Sequence, residues 1–174
     1  MKNGDCNKWL KSIDKRNWLK ANWRGVVFLD PFAMDLTWES LTHIRNTQAL
    51  DLWYLFPFYA LNRNLYKNGI IPESNKKSIS MLLGTDAWER DIYSMSLQMN
   101  LFGETALEKT DTDGLKEYII KRLEETFPTV SKKAVIFRND KNAPIFLLCF
   151  AGSNPSARAK SASLNVADYI LTKL

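Results

Sequence analysis

Glycine is scarce and scattered in this chain of 174 residues. Gly4, Gly25, Gly69, Gly84, Gly103, Gly114 and Gly152 never fall within ten residues of one another. The sequence therefore holds no Gly-x-Gly loop of the kind that lets a backbone approach a nucleoside or phosphate closely. Histidine is scarcer still: His43 stands alone, which excludes a multi-histidine metal site and disfavours a His-based triad. The two cysteines, Cys6 and Cys149, match neither a disulfide framework nor a zinc spacing. Cys149 sits in the apolar run Ile145–Phe150 and reads as a small buried hydrophobe. No apolar run approaches the roughly 20 residues that a membrane helix requires. The opening Met1–Asp5 leads into a polar, amphipathic segment without a signal-peptide hydrophobic stretch. These absences predict a soluble, cytoplasmic protein with no membrane association.

What is present begins with charge. The formal net charge is +5, and part of the excess is local. Lys8, Lys11, Lys15, Arg16, Lys20 and Arg24 are interleaved with Trp9, Trp18 and Trp23. Cations among aromatics suit phosphate contacts with base stacking, so Trp23 and Arg24 are candidate nucleic-acid contacts. The same pattern also fits a solvated helix face with tryptophan core anchors.

Gly25–Phe32 is the most informative stretch. Four apolar residues, Val26–Leu29, stop at Asp30-Pro31-Phe32 and read as a strand buried on both faces. Pro31 lacks an N–H and biases Asp30 toward extended geometry, so the ladder ends there. A carboxylate, a carbonyl and an aromatic ring then cluster at a strand's carboxyl end, where open α/β sheets bind ligands.

Along the chain, residues 5–20 read as helical. Thr37 can cap a helix running to about Asn46, and Ala49–Phe56 is a second strand ending at Pro57. The connection between the strands has room for a crossover helix, which makes them parallel. Phe58–Tyr66, Ser78–Leu83, Asp86–Leu97 and Leu115–Phe127 read as helices, so 58–130 forms a helical insert. Ala134–Phe137 and Ile145–Phe150 form an antiparallel hairpin around a polar turn. Ala157–Leu174 closes the chain as a helix, with Leu164, Ala167, Ile170 and Leu171 facing inward. The fold class is α/β, a single domain over 1–174 with a partial Rossmann-like sheet.

This order of elements resembles the second half of a class I S-adenosylmethionine-dependent methyltransferase, whose sheet ends in a reversed strand. More narrowly, it is similar to the three-Cys-motif partner protein (TcmP) family. The matching stretches are Gly4-Asp5-Cys6-Asn7, Phe28–Phe32, Leu50–Pro57, Arg63, Gly84 with Trp88, and Phe150–Pro155. The resemblance implies a methyltransferase-like protein associated with a three-cysteine iron–sulfur partner and acting on nucleic acid. By position, Asp5, Cys6 and Asn7 match the segment that accepts from the cofactor's adenine amino group. Asp30, Pro31 and Phe32 match the Asp/Asn-Pro-Pro-aromatic motif that binds a target amino group, with Phe32 standing where the second proline would be. Arg63 falls near the sheet's carboxyl edge, where it could meet a phosphate; a salt bridge to Asp51 is the alternative.

Against the resemblance, the glycine loop is missing and the adenine-type motif begins at residue 4. The expectation is that the chain lacks the cofactor-loop half of the sheet and binds S-adenosylmethionine weakly or not at all on its own. Val26–Leu29 would then be an apolar edge strand, completed by a partner chain, by a second copy as a homodimer, or by a further region. Two other functional readings stay open: a non-catalytic scaffold subunit, and an inactive fragment. His43 reads as a surface or half-buried histidine, Gly84 and Trp88 as a packing contact. The acids Glu104, Glu108, Asp111 and Asp113 read as a solvated run.

Overall fold

The computed structural model of the chain describes residues 4–99 and 105–174. It is mixed α/β, with eight helices and two sheets among the described residues. The main sheet contains β1 (Gly25–Leu29), β2 (Leu50–Phe56), β5 (Thr129–Val130), β6 (Val135–Arg138) and β7 (Pro144–Gly152). β1 pairs parallel with β2, as the crossover through α3 (Trp38–Thr47) requires. β7 runs antiparallel to β2 on one side, and antiparallel to β5 and β6 on the other. The reversed strand is thus interior, and β1 is a sheet edge.

Alternation shapes the sheet. Leu50, Leu52, Tyr54 and Phe56 of β2 are buried, while the residues between them are half-buried. The buried face meets the main core, in which Trp88, Phe58, Leu61, Ile79, Ile119 and Leu123 are almost wholly enclosed. A smaller cluster forms on the opposite face, where Leu148 and Phe150 meet Ala167 and Leu171 of α8 (Ala157–Lys173).

Several expectations change. Residues 5–20 form two short helices, α1 (Cys6–Lys11) and α2 (Lys15–Lys20), the first closing at the Ser12 cap, whose N–H meets Lys8 and Trp9 carbonyls. β1 is not buried on both faces: Val26 is 66 % and Phe28 60 % exposed, while Leu29 is buried. Thr37 occupies the N-cap position of α3 without capping it by its side chain. Phe58–Asn64 forms α4, and Glu73–Leu83 forms α5, a longer helix than Ser78–Leu83. The helix expected over 86–97 is only α6 (Trp88–Asp91). From Tyr93 the chain enters β3 (Tyr93–Met99), which pairs with β4 (Thr105–Lys109). The insert therefore holds a strand pair as well as helices, ending in α7 (Thr112–Thr126). On α8, Ala167 and Leu171 face inward, Leu164 is half-buried, and Ile170 is exposed. Of the acidic run, Glu104 lies outside the described residues. No described helix is long and apolar enough to cross a membrane.

Candidate functional site

The carboxyl end of β1 opens into a cleft of about 450 Å³. Asp5, Cys6 and Asn7 form one wall; Asp30, Pro31, Phe32 and Asp35 form the other. Two motifs read separately from the sequence thus share one cavity. The backbone explains the meeting. Asp5 caps α1, its Oδ1 accepting from the Asn7 N–H at 2.8 Å. Asn7 then ties α1 to the loop after β1: its Nδ2 donates to the Asp35 carbonyl at 2.8 Å. Its Oδ1 accepts from the Thr37 N–H at 3.0 Å and the Ser40 hydroxyl at 2.8 Å. Asn7 positions the wall, because both ends of its amide are already engaged. Nothing in a single sequence distinguishes such a clamp from a ligand contact.

The loop carrying the other wall is held in a tight turn. The Asp35 N–H donates to the Phe32 carbonyl at 3.2 Å, and Ala33 between them adopts φ +48°. That left-handed conformation is costly for alanine, and Phe32 in the same turn is 86 % exposed. The cleft is rich in acceptors: Asp5, Asp30 and Asp35 line it, and no Lys or Arg does. Its chemistry favours amino, hydroxyl or cationic groups and repels phosphate. Partial desolvation, with the Asp5 carboxylate adding to it, raises the Cys6 thiol above the ordinary cysteine range, which makes it a poor nucleophile near neutral pH.

Asp30, Pro31 and Phe32 also line a second cleft of about 420 Å³, with Tyr59, Arg63 and Phe146. Here Arg63 lies 5.9 Å over the Tyr59 ring. The alternative salt bridge from Arg63 to Asp51 is not formed. Asp51 lies at the other end of β2, where its Oδ1 accepts from the Ser153 N–H at 3.2 Å. Desolvation raises the Asp51 carboxyl, opposed by that N–H and by Arg24. Tyr59 escaped the sequence reading because a lone tyrosine on a short helix carries no signal; Asp35 likewise gains meaning only through Asn7.

Trp23 and Arg24 are elsewhere, at the amino end of β1. Arg24 borders a groove between β1 and α8, and its Nη1 donates to the Trp23 carbonyl at 2.8 Å. Trp23 is 59 % exposed and meets Trp18 edge-on at 5.7 Å. Trp9 is exposed too, so these two tryptophans are not core anchors. Gly84 and Trp88 do pack: Trp88 is buried with its Nε1 donating to Ser80 Oγ at 2.9 Å. His43 is half-buried on α3.

No protein-family model, no curated protein and no solved structure matches this chain.

Proposed function

We propose that the cleft at the carboxyl end of β1 is the nucleoside site of a methyltransferase-like protein, one that works on nucleic acid beside a three-cysteine iron–sulfur partner. The carrying observation is the convergence of Asp5 and Asp30-Pro31-Phe32 on one cavity. Support also comes from the sheet, in which a reversed strand follows two parallel ones, as the resemblance implies. S-adenosylmethionine, when bound, supplies an electrophilic methyl group. The lining fits its adenosine part and sulfonium: Asp5, Asp30 and Asp35 accept from amino and hydroxyl donors, and their charge attracts a cation. Its amino-acid carboxylate finds no cation in the lining. In this reading Asp30 and the Pro31 carbonyl accept from an exocyclic amine, while the Phe32 ring stacks on the base.

Saturation-transfer NMR with adenosine tests this. Binding is expected to weaken about tenfold or more in both Asp5→Ala and Asp30→Ala, the value of a hydrogen bond to a charged group. S-adenosylmethionine should bind the isolated chain no more tightly than adenosine. Adenosine binding untouched by either substitution overturns the reading; micromolar S-adenosylmethionine binding by calorimetry overturns the expectation that the isolated chain holds the cofactor weakly.

A second reading, a binding subunit without turnover, is favoured by the cleft where Arg63 lies over the Tyr59 ring and the exposed Phe32 shares the lining. Methyl incorporation into nucleic acid separates the two. An enzyme loses turnover in Asp30→Ala with nucleic-acid binding kept, whereas a scaffold shows no turnover to lose.

A further inference from the structure

The outer side of β1 is an unpaired sheet edge among the described residues. Gly25 N–H donates to the Ala49 carbonyl at 3.0 Å, and β1 runs parallel to β2 in register Gly25↔Leu50 through Leu29↔Tyr54. Hydrogen bonding in a parallel ladder alternates, so Gly25, Val27 and Leu29 point their peptides at β2. Val26 and Phe28 point theirs away from the sheet. These same two residues expose their side chains, at 66 % and 60 %. β1 has no lysine, proline or bulge of the kind that blunts an edge strand.

We infer that two copies of this chain join through antiparallel pairing of their β1 strands about a two-fold axis at Val27, and that the second copy brings Trp23 and Arg24 to the cleft at Asp30. The register carries the inference. Centred on Val27, Val26 lies opposite Phe28 of the second copy, with both outward peptides exchanging N–H···O bonds. A β-branched residue against an aromatic is a favourable cross-strand pair. Two residues further out on each side, Arg24 lies opposite Asp30 of the second copy, and beyond it Trp23 lies opposite Pro31. Arg24 and Asp30, which flank the strand, are both exposed, and the two-fold axis makes their ion pair form twice. Shifting the register by two residues loses both pairings.

The arrangement also brings together residues that one copy keeps apart. Trp23 and Arg24 stand at the amino end of β1, remote from the cleft at its carboxyl end. In the pair, the guanidinium that the acceptor-lined cleft lacks arrives beside Asp30. It is suited to an anionic group on a nucleoside ligand, a carboxylate or a phosphate. This last point rests on the nucleoside reading of the cleft; the pairing itself does not.

Sedimentation equilibrium on the full chain tests the pairing, and circular dichroism confirms that each variant is folded. A concentration-dependent monomer–dimer equilibrium is expected. Val26→Pro removes an outward N–H while sparing the ladder to β2, and should yield monomer. Arg24→Asp and Asp30→Arg should each weaken association about tenfold or more, since each sets like charges opposite one another. The double variant should restore it. A monomer at every concentration, or a dimer indifferent to both the charge reversals and Val26→Pro, overturns the pairing. Adenosine binding by the wild-type chain is read separately, so a monomer that still binds adenosine rejects this inference and leaves the nucleoside reading standing. A dimer that binds no adenosine does the reverse.

Discussion

Asp51 shows how a single side chain records its surroundings. It is a half-buried carboxylate in an otherwise apolar strand, with the Ser153 N–H as its hydrogen-bond donor. Burial raises its pKa in the fold, so the native state holds its proton more tightly than the unfolded chain does. A raised carboxyl contributes stability that is complete below the unfolded aspartate value, about 3.9, and is lost as pH rises through the folded value. Asp51→Asn keeps an acceptor for Ser153 and removes that loss. The variant should therefore melt higher than wild type at neutral pH, with the difference vanishing below about pH 4; thermal melts across that range check it. Asn7 makes the complementary point. Its residue type and position fitted a ligand contact, yet its amide serves Asp35, Thr37 and Ser40, thirty residues on. Asp30 and Phe32 were legible for the opposite reason: what places them is the local stop at Pro31.

Among the elements, α5 depends on the residue that caps its carboxyl end. Gly84 closes the helix at φ +68°, and a Cβ there would stand 2.3 Å from Trp38 Cγ. Gly84→Ala combines an unfavourable backbone conformation with overpacking against a buried indole. The expected loss is about 2–4 kcal/mol, measured by urea denaturation. The parallel β1–β2 pair, the β6–β7 hairpin and the long helices α7 and α8 follow from pattern alone. Each has a strong period or a clear stop. The failures have physical causes. No breaker separates Asp86 from Leu97, so a helix turn and a strand run together in the sequence. β5 has two residues, too few for any period. Val26 and Phe28 match a strand buried on both faces in composition, but burial depends on what the rest of the chain lays over them.

Among the described residues, β7 is the hub, with a neighbour on each side, while β1 is bonded on one side only. Amide exchange should follow that arrangement. Protection is expected to be greatest at Leu147–Phe150, approaching global stability, and least at Val26 and Phe28 in dilute solution. Protection at those two positions should rise with protein concentration if the strands pair. Exchange measured by NMR at two concentrations checks both statements, and uniform protection along β1 and β7 would contradict them. The candidate site shares this arrangement: it lies at the sparsely bonded margin of the sheet, and the hub lies behind it.

The hub position of β7 has a consequence for how the chain is made. Leu52 pairs with Ala151, and Tyr54 with Cys149, so the inner side of β2 has no neighbour until residues 144–152 exist. A ribosome-bound chain would carry β2, α4 and the whole insert with a bare apolar ladder until β7 (Pro144–Gly152) is made. Such late, distant pairing is slow and open to misassociation. The nascent chain, more than the finished protein, is the form that calls for a chaperone.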